Sequence, residues 1–483
     1  MLQQTEKRNF DRMYLHIAIM LGLIIGFSFL PPIGMLTPTG MKLTGIFLAM
    51  LYGWTTCDML WTCLLGMSAL ALTGAVPMKE FLAQSFGSES IVFILFLFIF
   101  TGVIDEVGLI NFIANRMISF PCLNGRPWLF STFLLVGAYI AAAFINMFAA
   151  IIVFWGIIYI VAERFGFKPY EKYPTLMILG VTLASSIGGA VMPYKPGPLV
   201  ILKAYSMAAD VPVDFFKYIC FSLPVTLLIM LFYVLVCKFV FRPNMGLLKD
   251  ISVDFADADA LVLTKKQKAA IIFLGMFIFM MIAPSILPDT FLLAGMINKL
   301  GNAGCVFVLL ILLSWVKVDG SAMLNFNLMT KHIKWDILMM MAFVIPFASI
   351  FTGEGTGVKE CIVALLQPIL TGLSPTVFLI LTLLLATGLT NIANNMVVGA
   401  VFATLIVTIG SSMNLDVAPM VAVLSVCVNL ALATPAASPM AAMMFGNKAW
   451  MKMTDIYKYG IITLVLGFIF AMCIGLVWAT AIY

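Results

Sequence analysis

The chain has 483 residues, of which 63% are hydrophobic and 10% charged, with 40 Phe, 34 Met and a formal net charge of +5. No water-soluble domain of this length has that composition. Its basic residues lie mostly in short loops between apolar runs, which argues against a nucleic-acid partner and for a polypeptide threaded many times through a bilayer.

A bilayer crossing needs about 20 apolar residues. Runs that meet this need are expected at 14–30, 43–57, 59–76, 91–107, 176–208, 216–240, 269–287, 303–316, 335–351, 420–445 and 457–481, giving about 11 transmembrane helices. Lys7, Arg8 and Arg12 precede the first run as in a signal peptide, but no small-residue cleavage site follows, so this run is read as a membrane helix. Two further apolar stretches, 128–161 and 374–409, have polar breaks at their centres and fit re-entrant hairpins. Asp105 and Glu106 end the fourth crossing and are read as boundary charges ahead of an amphipathic surface helix at 110–118, in preference to a proton relay. The stretch 358–366 occupies the same place in the second half. A mixed acidic and apolar loop at 250–259 has no metal-loop spacing and reads as a cytoplasmic connector.

A cytoplasmic N-terminus puts Arg116, Arg126, Arg164, Lys168 and Lys172, the basic residues of the central loop, and Lys317, Lys331, Lys334, Lys448, Lys452 and Lys458 inside. Only Lys42, Lys79, Lys217, Lys299 and Lys359 then lie between spans outside. That bias favours this orientation over its inverse and a multi-pass cytoplasmic (inner) membrane protein. Nine scattered cysteines, with Cys57 and Cys63 as the only close pair, read as packing residues. His16 and His332 have no second histidine at ligand spacing, and the spans hold no nucleophile beside a base, so neither a zinc or haem protein nor a membrane enzyme is expected.

The centre of the first hairpin reads Phe144-Ile145-Asn146-Met147 and that of the second Leu389-Thr390-Asn391-Ile392. Each half then carries a long apolar run broken by prolines: Pro193-Tyr194-Lys195-Pro196-Gly197-Pro198 and Pro435-Ala436-Ala437-Ser438-Pro439. Asn391 follows Asn146 by 391 − 146 = 245 positions, and Pro435 follows Pro193 by 435 − 193 = 242. A proline kink or a membrane asparagine alone is commonly structural. Four such features repeating at one spacing, in halves separated by an odd number of crossings, give an inverted repeat with broken helices meeting near the midplane. Unwound backbone at that depth is tolerated only where protein or a wet cavity covers it, so the breaks mark a binding site. Half-helix N–H groups suit carboxylate oxygens and freed carbonyls suit a cation. Two opposed hairpins fit alternating access better than a channel, and the breaks lack the acids expected of a sodium/proton exchanger.

At these residues the chain resembles the divalent anion:sodium symporter family of dicarboxylate, citrate and sulfate carriers. Thr390-Asn391-Ile392 is similar to that family's second hairpin tip, Thr434-Pro435-Ala436-Ala437-Ser438-Pro439 with Phe445-Gly446 to its second loop, and Ser185-Ser186-Ile187-Gly188-Gly189 with Pro193 to its first. The resemblance implies an all-α homodimer moving small di- or tricarboxylates, or another oxyanion such as sulfate or arsenite, by an elevator motion. Scaffold would occupy 1–126, 216–334 and 335–373, the transport unit 127–215 and 374–447, and a final helix 448–483. It implies substrate contacts from Asn146, Thr390, Asn391 and Ser438, and Lys195, Pro196, Asn394 and Pro439 beside them are read as further substrate-binding candidates. Sodium, the one implied cofactor, would lie in a first site at Ile145, Asn146 and Lys195 and a second at Thr390, Asn391 and Ala437.

The first half departs from the family pattern. Ile145 and Met147 stand where hydroxyl residues are usual, and Lys195 aligns by the repeat with Ala437 at the first sodium site. A lysine at mid-bilayer costs about 2.5–3.5 kcal/mol on insertion scales. Its ammonium either replaces the first sodium and faces the substrate or snorkels to an aqueous boundary. Asn394 and Asn395, one turn beyond Asn391, either face the same cavity or bridge helices.

Overall fold

The computed structural model describes residues 2–248, 261–287, 291–351, 353, 355–358, 360–361, 364, 374–413, 415–435 and 437–483, with the side chains of 2–12, 55, 285, 348 and 412 left aside. The connector at 250–259 and most of the surface helix expected at 358–366, with Lys249 and Lys359, fall outside the described residues.

Among the described residues the chain is all-α apart from one short ladder, Lys317–Val318 against Ser321–Ala322. Its first half runs α1 (Leu2–Phe29), α2 (Pro38–Thr56), α3 (Met59–Leu72), α4 (Met78–Ser85), α5 (Glu89–Glu106), the short α6 (Leu109–Ile118), the hairpin α7 (Pro127–Phe144) and α8 (Met147–Arg164), the pair α9 (Lys172–Gly188) and α10 (Pro196–Ala209), and α11 (Phe215–Val236). The second half runs α12 (Lys265–Ile286), α13 (Leu292–Trp315), the single turn α14 (Phe326–Met329), α15 (Trp335–Phe351), the hairpin α16 (Pro375–Thr390) and α17 (Asn395–Ser412), the pair α18 (Ala418–Val428) and α19 (Pro439–Gly446), and α20 (Met453–Phe470) with α21 (Leu476–Ile482). A helix or helix pair thus lies at every expected crossing and a helical hairpin at both expected re-entrant stretches. By length and composition alone, six described helices are able to cross a membrane, or eight if two bent pairs each count as one span. Both arms of the first hairpin are among the six.

Local chemistry fixes the boundaries. Thr37, Asp58, Ser88, Asp214 and Ser374 each accept a backbone N–H of the helix that follows, and Thr264 with Gln267 forms a reciprocal capping box at α12. Proline opens α2, α7, α10, α16 and α19, where its missing N–H has no helical partner to lose. Inside α13, Gly301 at φ +63° breaks the helix, and Glu89 of α5 caps the restart by accepting from Asn302 N at 2.6 Å and Ala303 N at 3.3 Å.

Packing gathers the helices into two sets, joined where α15 also lies on α10 and α17. In one, α1 lies on α2, α15 on α2, α3, α4 and α5, and α5 also on α12 and α13. In the other, α9 lies against α7, α8 and α19, α10 runs along α17, and α16, α17 and α18 pack on one another. Helix α11 touches α7, α9, α18 and α20 as well as α12. Close approach depends on missing Cβ atoms: one on Gly188 would lie 2.8 Å from the Tyr139 carbonyl oxygen, and one on Gly399 would lie 2.5 Å from Ile201 of α10.

Both broken pairs are buried, so their unwound carbonyls need donors from the protein. Helix α11 supplies two: Tyr218 donates to Ala190 O and Ser222 to Val191 O, each at 2.7 Å. Ser186 of the first pair donates to Asn429 O of the second at 2.7 Å, joining the halves. Tyr218→Phe and Ser222→Ala each strand a buried carbonyl and should each cost on the order of 1–3 kcal/mol. Thermal unfolding of the detergent-solubilised protein should show both midpoints lowered; unchanged midpoints would mean these bonds do not hold the break.

Candidate functional site

The first hairpin turns in two residues. Ile145 ends α7, and Asn146 starts α8 by accepting from Phe148 N at 2.9 Å and Ala149 N at 3.3 Å. That capping uses the amide oxygen and leaves the NH2 group to donate to Asp105 Oδ2 at 3.3 Å. Lys195, only 6% exposed, ends the unwound stretch after α9 and donates through Nζ to Ile145 O at 2.6 Å. Ile145, Asn146, Lys195 and Pro196 therefore converge as expected. They line a cavity of about 120 Å³ together with Asp105 and Thr101 of α5, and with His332 and Lys334 just ahead of α15.

Three of these cavity residues escaped the sequence reading. Asp105 is not a boundary charge: it faces the hairpin tip, while its neighbour Glu106 faces outward to His332 Nε2 at 3.4 Å. The difference arises because α5 ends level with the tip, so its last turn faces protein. His332 packs over Gly102, where a Cβ would come within 2.7 Å of the ring. Lys334 places its ammonium 5.4 Å from the centre of the Phe148 ring, a cation–π contact with the tip. An Asp at the end of a span was the available signal; His332 and Lys334, over 200 positions away, gave none.

The second hairpin ends in a different cluster. Thr390 donates to Val428 O at 3.0 Å, and Asn391 donates to Thr387 O at 2.8 Å and Leu430 O at 3.3 Å while accepting from Ala433 N at 2.8 Å. Thr434 closes the ring by donating to Asn391 O. Ser438 donates to Ala431 O at 3.0 Å and caps α19 at Ala441 N, with Ala437 buried before it and Pro439 opening the helix at the surface. Asn394 caps α17, whereas Asn395 is the residue that bridges helices, donating to Asn429 Oδ1 at 3.4 Å. None of Thr390, Asn391, Asn394, Ala437, Ser438 or Pro439 lines the cavity at the first tip.

The structural repeat has a different register from the one counted along the sequence. As residues that start the second arm, Asn146 and Asn394 correspond; Asn391 ends α16 where Ile145 ends α7. Lys195 and Ser438 each sit immediately before a helix opening on proline, so Lys195 takes the place of Ser438, not Ala437. The second tip is the longer, running from Asn391 to Asn394 between its arms, and a constant offset cannot survive that insertion.

Asn391→Ala removes the side chain that serves Leu430 O and Ala433 N and should lower stability by about 2 kcal/mol or more. Asn394→Ala removes a cap alone and should cost about 1 kcal/mol. Thermal midpoints in that order check the assignment, and equal midpoints would refute it.

Among the described residues no group of three or more His, Cys, Asp or Glu is placed to hold a metal ion. No curated protein matches the chain. Two solved structures share its fold over most of their length. One is the YdaH transporter of Alcanivorax borkumensis, at TM-score 0.55 and 13% identity over 83% of this chain and 87% of that one. The other is MtrF of Neisseria gonorrhoeae, described as illuminating a class of antimetabolite efflux pumps, at TM-score 0.57 and 15% identity over 96% and 94%. The family model described as "Citrate transporter" matches residues 46–428. The resemblance to the divalent anion:sodium symporter family drawn from the tips and loops is borne out at the level of the family: this multi-pass membrane transporter belongs to the citrate transporter family.

Proposed function

We propose that this protein is a secondary carrier of small di- and tricarboxylate anions across the cytoplasmic membrane, with citrate the first substrate to test. One observation carries the reading: a buried ammonium, Lys195, donates at 2.6 Å to the carbonyl at the first hairpin tip. That is the contact a bound cation would make there. An ammonium has three N–H donors, so two remain for carboxylate oxygens entering the cavity. The NH2 group of Asn146 and the Lys334 ammonium stand around the same space, so that two ammonium groups, Lys195 and Lys334, face the single carboxylate Asp105 and leave the positive balance an anion needs.

In this reading Lys195 does the work of the first sodium. Coupling then rests on a sodium at the second tip, near Thr390, Asn391 and Ala437, or on exchange against a second anion. The charge bias of the loops supports a cytoplasmic N-terminus, and with it a cavity facing the cytoplasm beside Lys334. Helix α7 is 18 residues, about 27 Å, long. A hairpin whose tip is level with the inner end of α5 has its base that far beyond, which supports a transport unit displaced toward the cytoplasm. Helix α6, packed on both α7 and α8, is the natural arm between scaffold and moving unit. A homodimer built on the scaffold completes the elevator.

The test is uptake of labelled citrate and succinate into proteoliposomes, with an inward sodium gradient or with internal unlabelled anion and no sodium. Stimulation by either supports the carrier; uptake of sulfate or arsenite alone would replace the substrate class. Lys195→Ala should abolish uptake or create a sodium requirement, and unchanged uptake with unchanged ion dependence would overturn the role of the lysine.

A further inference from the structure

We propose that Asp105 latches the carrier in this conformation, so that only an anion entering the cavity frees the hairpin tip, and that this makes the protein an obligate exchanger; the inference rests on the carrier reading above. Among the described residues, a hydrogen bond and a cation–π contact cross from the α5–α15 side of the cavity to the tip. Asp105 Oδ2 accepts from the Asn146 NH2 group at 3.3 Å, and the Lys334 ammonium lies 5.4 Å from the Phe148 ring centre.

The first of these occupies the donor that a substrate carboxylate would use. The oxygen of Asn146 is committed to capping α8, so its NH2 group is what the tip offers to an anion. In this conformation that group meets a carboxylate belonging to the protein. Asp105 is thus a tethered stand-in for substrate, competing with it for one amide and for the field of Lys195 in the same cavity.

The surrounding charges make the exchange of partners feasible in one direction only. When a substrate carboxylate takes over Asn146 and Lys195, Asp105 keeps His332 and Lys334 beside it on its own side of the cavity. When an empty unit moves away, the Asn146 amide and the buried Lys195 ammonium leave with no anion at all. Stranding a buried charge is strongly unfavourable, whereas swapping one carboxylate for another conserves every charge-assisted contact. The loaded unit therefore moves and the empty one stays. Glu106 does not share the task, since it faces His332 from the exposed side. Gly102 lets the His332 ring lie flat against α5 one turn before Asp105.

The test reads the latch with and without a transported ligand. A cysteine placed by Met147→Cys in the cavity wall is alkylated by a membrane-impermeant maleimide from either face of reconstituted vesicles, with the unsubstituted protein as background. Without citrate, labelling is expected from one face only; in Asp105→Asn it is expected from both, with at least a tenfold rise from the second face. Asp105→Glu, which keeps the carboxylate, should restore one-sided labelling and shows that any change follows the charge. In the transport assay, the ratio of citrate uptake into empty vesicles to uptake into citrate-loaded vesicles should rise about tenfold in Asp105→Asn. One-sided labelling in a folded Asp105→Asn protein, or an unchanged uptake ratio, overturns the latch. Two-sided labelling in that variant with no citrate flux in any form supports the latch and counts instead against citrate as substrate.

Discussion

Everything in this fold depends on where the carbonyls of two broken helices find donors. Buried backbone with no water to turn to must be paired within the protein, and six carbonyls at or beside the breaks here meet particular side chains. Tyr218 and Ser222 serve the first break, Ser186 reaches across to the second, and Thr390, Asn391 and Ser438 serve the remainder. These bonds also tie α11, the second hairpin and both broken pairs into one body. The polar residues that make a site possible are therefore the same residues that make its backbone tolerable.

The two halves solve this problem with different chemistry. The second uses neutral groups throughout, and its hydroxyls and amides are spent on its own carbonyls. The first uses a lysine, whose ammonium satisfies Ile145 O and still has donors to spare. Accordingly the cavity charges gather at the first tip, where Asp105, Lys195, His332 and Lys334 share one space of about 120 Å³. An inverted repeat need not give two equal sites; here one tip is closed on itself by neutral bonds and the other is built around charge.

Chemical economy at the first tip is visible in the division of labour within one residue. Asn146 holds the start of α8 with its oxygen and reaches Asp105 with its nitrogen. Helix geometry and charge recognition are thereby coupled in a single side chain, and a change of partner on one side is felt at the end of a helix on the other.

Much of this was legible in the residues. Apolar run lengths located the long helices, though not the short α4 and α14, because a bilayer imposes a minimum span. Paired Asn and Pro motifs located both tips and both breaks, because unwound backbone in a membrane requires those residue types. The out-of-place lysine at 195 pointed to the first tip for the same energetic reason, and it lines the cavity there. Tertiary structure alone decided what faces what. The longer second tip shifted the register, so that Asn394, and not Asn391, answers to Asn146. Asp105 looked like a boundary charge until the end of α5 was seen beside the tip, and His332 and Lys334 entered the site from more than 200 positions away. Periodicity and local chemistry are written along the chain, but the level at which one helix ends against another is set by packing between distant segments, which no local pattern encodes.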